Sequence, residues 1–409
     1  MTLPGSLPQR QKAIVQRRER AGLIPLQLQD DVAVPALSSP HGILVRVLAV
    51  GLNHCDYKMP TNFPVPGGMA GCDFCGIVVV RGSEAWCETG ARVCGGVFPY
   101  GRSAGSAATS EAHSGAFAQF VAVDSRVVLG VPASWSDVQG AALGAVGWGT
   151  VGLALSDPNA LALDGFPSTP AGAAQREPVL VYGGATATGT IACQLLSLSG
   201  HVAIAVTSPQ SASLAIRYDA SATASYTSPT CAADVRAQAS EPVRHALDCI
   251  TSAESAATCF AALARTGGRY ACVESFQEAW RSRRAVRVKE VMGYEGLGRS
   301  IQFEAYVESP NLTTAAAAAA AADDDDGCNG GSSSVPPPSS TYTRKANAAL
   351  ATLCARWAYE MRRLLDAGLI KHHPVREIEG RWDGIIDGLL ALQRGEVRCE
   401  KLVIRIADQ

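Results

Sequence analysis

Between Pro178 and Ile216 the chain carries no Asp, Glu, Lys or Arg, yet Gly-Gly, Thr-Gly, Ser-Gly and Ser-Pro steps cut it into short lengths. So apolar a stretch must be buried, in protein or in lipid. The breaks decide, because they leave runs well short of the about 20 residues that cross a bilayer. What remains reads as a strand (EPVLVYG), a glycine turn, a helix (TIACQLLSLSG) and a second strand (HVAIAVTS). Strand, helix and strand within about 30 residues predict a parallel βαβ unit, since parallel neighbours need a crossover long enough to hold a helix. The alternation continues as RHALDCI (strand), ESAATCFAALAR (helix), GGRYACVE (strand) and RAVRVKEVM (strand). The fold class expected here is α/β, a doubly wound parallel sheet.

Upstream the texture differs. ILVRVLAV (43–50), GIVVV (76–80) and AFAQFVAV (116–123) are β-branched runs that predict a twisted, mainly β N-terminal domain. From Ser136, DVQGAALGAVGWGTVGLAL reads as an Ala/Gly-rich helix, followed by a Pro/Ser/Thr-rich connector at 157–178. Thr313 to Ser340 is low in complexity: eight alanines, four aspartates, then GCNGGSSSVPPPSS. The alanine run is too short for a stable isolated helix, so an exposed, disordered insertion is expected, with the aspartates as a solvated loop. An amphipathic helix, KANAALATLCARWAYEMRRLLDAG, follows, ending at Gly368; the chain closes with WDGIIDGLLALQRG (helix) and EKLVIRIAD (strand).

At ~150 residues per domain, a chain of this length holds two or three domains. Its 35 Lys+Arg against 37 Asp+Glu leave a net charge of −2. No basic excess is available to neutralise phosphates, so nucleic-acid binding is not expected. The thirteen cysteines are odd in number and scattered through apolar stretches, and the N-terminus has no apolar run behind a positive head. Reduced thiols in a cytoplasmic protein are the expectation.

The glycine turn in VLVYGGATATGTIACQLL presents backbone N–H groups at a helix N-terminus, where a pyrophosphate is favourably held. Gly183, Gly184 and Gly189 are present, with Thr186, Ala187 and Thr188 between them. Many strand–helix turns need glycine for geometry alone; the βαβ setting here favours a dinucleotide. At the end of the second strand, where an NAD site offers a carboxylate to the ribose, this chain has Thr207, Ser208, Gln210 and Ser211, with Arg217 farther on. Hydroxyls and a cation suit a 2′-phosphate, so NADPH is the expected cofactor, although one serine can also cap a helix.

GLNHCDYKM (51–59), GCDFCGIVVVRGSE (71–84), GARV (90–93), GAFAQFVAV (115–123), the glycine turn and EKLVIRI (400–406) together resemble the medium-chain dehydrogenase/reductase superfamily. More narrowly, DYKM, YGGATAT, LDCITS (247–252), GLIKHHP (368–374) and the connector are similar to the trans-acting enoyl reductases of fungal polyketide synthases, of the lovastatin type. The resemblance implies a GroES-like β domain (1–156), a Rossmann NADPH-binding domain (157–312), the disordered insertion (313–343), and a long helix with a return to the first domain (344–409). Zinc members of the superfamily have Cys-His-x-Asp and Gly-His-Glu where this chain has Asn53-His54-Cys55-Asp56 and Gly71-Cys72-Asp73. That substitution implies a metal-free site. Cys72, Cys75, Cys87 and Cys94 have the spacing of a structural zinc site, but three of the four precede the family's zinc lobe or lie in apolar strand sequence.

The resemblance also assigns residues. Cys55, Asp56, Tyr57 and Lys58 fall at the cofactor, as do Val273 at one strand end, Met292 and Gly293 at the next, and Arg398 and Cys399 before the last strand. Tyr226 is implied as an adenosine-side contact, or is simply a strand-edge core residue. Lys58 is the candidate cation near the reacting thioester; the alternative is a surface lysine paired with a carboxylate. Thr150 either lines the nicotinamide pocket or packs a helix, and Glu274 departs from what the family offers there. His372 and His373, adjacent in an extended segment, read as structural. The implied function is a stand-alone enoyl reductase that takes its substrate from an acyl carrier protein, with hydride from NADPH. Two alternatives are a zinc-free quinone or enone reductase on free small molecules, and a non-catalytic NADPH-binding scaffold.

Overall fold

The computed structural model describes residues 7–17, 24–103, 114–304 and 341–407. The charge-free stretch supplies the centre of a six-stranded parallel sheet. Its strands, in chain order, are β9 (Pro178–Tyr182), β10 (Val202–Thr207), β11 (Ala222–Ser225), β12 (His245–Asp248), β13 (Gly268–Cys272) and β14 (Val286–Glu290). Their spatial order is β11-β10-β9-β12-β13-β14, the doubly wound arrangement. Successive side chains point to opposite faces, so each strand feeds two cores. Val179, Val181, Ala203, Ala205 and Leu247 pack with α4 (Ala187–Leu198) on one side. Leu180, Tyr182, Ile204, Val206 and Ala246 pack with α6 (Cys231–Gln238) and α7 (Ala253–Ala262) on the other. Burial on both faces is why these strands read as continuous apolar runs. The order reverses between β9 and β12, so their carboxyl ends open a crevice there.

The N-terminal β region is a seven-stranded sheet built on β3 (Gly42–Gly51), which pairs antiparallel with β4 (Asp73–Arg81), β7 (Phe120–Asp124) and β18 (Lys401–Arg405). The Ile404↔Val50 register of β18 seats the last strand of the chain beside the start of α1 (Cys55–Asn62). Residues 401–405 therefore join the sheet built mostly from residues 42–130.

Two readings are corrected. The apolar segment after Ser136 is not one helix but two, α2 (Asp137–Leu143) and α3 (Val146–Ser156). Gly144 breaks it at φ +47°, where a Cβ would stand 2.2 Å from the Asp73 carboxyl carbon. The break aims the first N–H groups of α3 at Asp73. By length and composition alone 137–156 is the one helical stretch among the described residues fit to cross a membrane, but 72% of it is buried inside the protein. The second correction concerns the insertion: Thr341–Arg344 is a strand, β16, paired antiparallel with β15 (Ile301–Glu304). Residues 341–343 therefore do not belong to the disordered insertion expected over 313–343, and 313–340 lie outside the described residues. The long helix, α8, runs Ala348–Asp366, its N-terminus capped by the Asn347 side chain accepting from Leu350 N–H at 3.1 Å. It buries Leu350, Cys354, Trp357, Met361 and Leu364, one stripe at helical spacing.

Candidate active site

The glycine turn closes β9 and opens α4 at the crevice. Gly183 takes φ +77°, a left-handed conformation that glycine adopts without strain. Thr186 caps α4, its hydroxyl accepting from Gly189 N–H at 3.0 Å. Helix geometry gives the N–H groups of Ala187 and Thr188 no acceptor within α4, so the positive end of its dipole faces the crevice. A diphosphate fits this cradle.

Beside it, the LDCITS segment is organised by Asp248, which is fully buried. One of its oxygens accepts from Ile250 N–H and Thr251 N–H, both at 2.9 Å. The other accepts from Ser255 Oγ at 2.6 Å and Tyr270 OH at 2.8 Å. This network holds Thr251 at φ +59°, a conformation β-branched residues avoid, and Thr251 Oγ1 accepts from Val273 N–H at 3.3 Å. The ends of β12 and β13 are thereby tied together at the crevice. Sequence reasoning used LDCITS only as a family match and missed these roles; a carboxylate ending an otherwise apolar strand was the available signal.

At the carboxyl end of β10, Thr207 is buried and Ser208 Oγ donates to Ser211 Oγ at 3.0 Å. Ser211 Oγ lies 3.0 Å from Cys399 Sγ, and Cys399 itself has φ +57°. The loop before β18 therefore reaches the Ser208–Ser211 turn. Tyr226 is 47% exposed and its N–H donates to Thr207 O, so its ring stands over the strand ends rather than in the core. Gln210, Arg217 and Arg398 are exposed. Asp219, the carboxylate two residues past Arg217, is 3.7 Å from Lys371 Nζ.

The other wall is α1. Asp56 is fully buried; its carboxylate accepts from Asn53 N–H and from Tyr100 OH, both at 2.8 Å. Tyr100 OH in turn accepts from Gly71 N–H at 2.9 Å. Burial pushes the Asp56 carboxyl up to about 6 against those two hydrogen bonds. Its side chain is spent on anchoring the helix and is not presented to the cleft. Tyr57 is half-buried on the same turn, its ring 5.9 Å from that of His54. Lys58, one residue on, places its Nζ 2.5 Å from Glu274 Oε1, across 216 residues of chain. On α3, Thr150 is 8% exposed and its hydroxyl faces Gly293, where a Cβ would come within 2.6 Å of it. Thr150 thus meets the Met292–Gly293 end of β14.

A buried ammonium joins Asn53 and Asp73. Lys401 Nζ donates to Asn53 Oδ1 at 2.5 Å and to Asp73 Oδ2 at 3.0 Å, and Asn53 Nδ2 donates to the same Asp73 oxygen at 2.9 Å. The other Asp73 oxygen accepts from Ala145 N–H and Val146 N–H. Among the described residues the one group of three metal-type donors is Cys55, Asp56 and Cys72, within 4.8 Å of one another. The two sulfurs are 3.8 Å apart. Burial, the contact with Cys55 and the Asp56 charge push the Cys72 thiol well up. For Cys55 the contact with Cys72 pulls down but burial and Asp56 outweigh it. Of the three, Asp56 is already engaged by Asn53 N–H and Tyr100 OH, so its carboxylate serves the fold. His372 and His373 diverge: His372 Nε2 contacts Gln139 Nε2 at 2.9 Å, while His373 Nδ1 contacts Thr190 Oγ1 at 2.9 Å.

Residues 39–133 match the alcohol dehydrogenase GroES-like domain. Over 409 residues the chain is 45% identical to a trans-enoyl reductase of Penicillium decumbens, covering 98% of this chain and 99% of that one. It is 46% identical over 398 residues to a trans-enoyl reductase of Phaeosphaeria nodorum, covering 97% and 98% respectively. Among solved structures, the CurK enoyl reductase superimposes with a TM-score of 0.64 at 15% identity, over 97% of this chain and 99% of that one.

Proposed function

The chain belongs to the trans-enoyl reductases, oxidoreductases that act on carbon–carbon double bonds, and from that premise we propose that it reduces α,β-unsaturated acyl thioesters carried by a polyketide synthase, with NADPH as reductant. The observation that carries the reading is what gathers at the carboxyl edge of the sheet. The open N-terminus of α4 follows β9, Glu274 with its partner Lys58 follows β13, and Gly293 with the Thr150 hydroxyl against it follows β14, all at the carboxyl side of one parallel sheet.

When bound, NADPH supplies a hydride for the β-carbon of the enoyl group. The N–H groups of Ala187 and Thr188 would hold its diphosphate. Thr207, Ser208 and Ser211 would offer hydroxyls to the 2′-phosphate, with Gln210, Cys399 and Arg398 at that end and Tyr226 on the adenosine side. As the double bond is lost, negative charge grows on the thioester oxygen, and Lys58 and Thr150 are the donors that stabilise it. A proton must also reach the α-carbon, from a group at hydrogen-bond distance. The substrate enters on the phosphopantetheine arm of an acyl carrier protein, which docks outside. The twelve free cysteines among the described residues suit a reducing, cytoplasmic setting.

The test is NADPH oxidation with enoyl pantetheine thioesters, carrier-bound enoyl thioesters, free enones and quinones in parallel. Turnover of the thioesters, with carrier-bound substrate favoured in kcat/KM, is expected. Turnover of quinones or free enones alone would replace this reading with a small-molecule reductase.

A further inference from the structure

The carboxylate that meets Lys58 is itself held from several sides. Glu274 stands two residues past the end of β13, on the far side of the crevice from α1. Its neighbour Val273 is tied through N–H to Thr251 Oγ1, the Glu274 carbonyl accepts from Cys272 Sγ at 3.5 Å, and Phe276 N–H donates to Glu290 at 2.7 Å. A tethered loop thus presents the side chain. The pair is open to water, with Lys58 37% and Glu274 40% exposed. Ion pairs so exposed contribute little to stability, so its consequence lies in charge: the carboxylate weakens, without removing, the pull of the Lys58 ammonium on a charged ligand at the cleft. Tyr57 and His54 flank it, and the His54 pKa is lowered, by burial first and then by Lys58, with Glu274 opposing.

We propose that Glu274 is a positioning and specificity-determining residue, which holds the Lys58 ammonium at the crevice and keeps the site selective for uncharged enoyl thioesters. This rests on the proposed function and deepens it. A bare ammonium would capture carboxylates, which resemble the enolate in charge; with Glu274 opposite, an incoming anion meets a carboxylate as well. A neutral thioester is indifferent to that carboxylate and still finds Lys58 in place.

The test compares wild type with Glu274→Gln, which keeps the shape and removes the charge, and Glu274→Asp, which keeps the charge. The probe is a medium-chain 2-alkenoate, binding as a free carboxylate to the NADPH-loaded protein and followed by calorimetry. Glu274→Gln should bind it at least about fivefold more tightly, the size of one like-charge contact in water-like surroundings, and lose that gain in high salt. Glu274→Asp should bind as wild type does. Equal binding by wild type and Glu274→Gln would overturn the proposal, as would equal tightening in both variants. Binding needs no turnover, so a failure of the proposed reaction would show separately, as a wild-type enzyme that reduces no thioester.

Discussion

Lys401 Nζ lies 3.0 Å from Asp73 Oδ2 in the interior of the β domain, both side chains less than a tenth exposed, joining residues 328 apart in the chain. Asp73 is also the acceptor for the first N–H groups of α3, so this pair fixes the last strand, the second strand of the sheet and the helix that carries Thr150. A buried pair of this kind is costly to halve, because the survivor keeps its desolvation cost without its partner.

Replacing Lys401 by Met should therefore destabilise the protein by about 3 kcal/mol, the low end for a broken buried pair, since Asn53 and two backbone N–H groups still serve Asp73. Urea unfolding of wild type and variant measures it. A change below about 1 kcal/mol would mean that the ammonium is not needed there.

NADPH should bind more tightly than NADH, because the end of β10 offers the Ser208 and Ser211 hydroxyls and no adjacent carboxylate. Ser208→Asp should reverse the preference by setting a negative charge against the 2′-phosphate. Fluorescence titration with both cofactors gives the answer; equal affinities in wild type would refute the assignment.

Gly293→Ala places a methyl group within 2.6 Å of Thr150 Oγ1. Overpacking of this size costs about 1–3 kcal/mol. The double variant with Thr150→Ala removes the oxygen in the way and should recover most of the loss in melting temperature. Its reductase activity should stay low if Thr150 donates to the substrate. No recovery in the double variant would show that the two positions are not in contact.

His373 is 2% exposed, and burial, then the Lys401 charge, holds its pKa down at about 3. In the unfolded chain it takes up a proton below about 6.5, which the folded chain refuses, so stability is intact above that pH and falls as the pH drops towards 3. His373→Asn retains a hydrogen-bonding partner for Thr190 but cannot titrate. Between about pH 6.5 and 4.5 wild type should lose about 2–3 kcal/mol more than this variant. Asp56 works in the opposite direction: its raised pKa favours folding as the pH falls through 6, but it is common to both proteins and drops out of the difference. Parallel acid limbs would refute the assignment.

Much of the Rossmann sheet was legible from residues near one another in sequence. A helix start, a glycine with positive φ and a strand buried on both faces are each dictated by a handful of consecutive residues, so β9, the turn at Gly183 and α4 stand where Pro178 to Leu198 reads. The long stripe of α8 is visible for the same reason. The division of 137–156 was not, because nothing local distinguishes Gly144 from its neighbouring glycines; the break there follows from Asp73, which approaches from another strand.

The candidate site divides along the same line. By itself the sequence determined the parallel sheet, the glycine turn between β9 and α4 and the absence of a carboxylate at the end of β10, because periodicity, composition and turn chemistry act over a few residues. Only the tertiary structure decided that Lys58 faces Glu274, that Lys401 stands between Asn53 and Asp73, and that Cys55 meets Cys72. Each of those pairings joins elements distant in the chain. The energy of a charge or a thiol depends on which distant group packs against it and how much water that packing removes, and neither is written in the residues on either side.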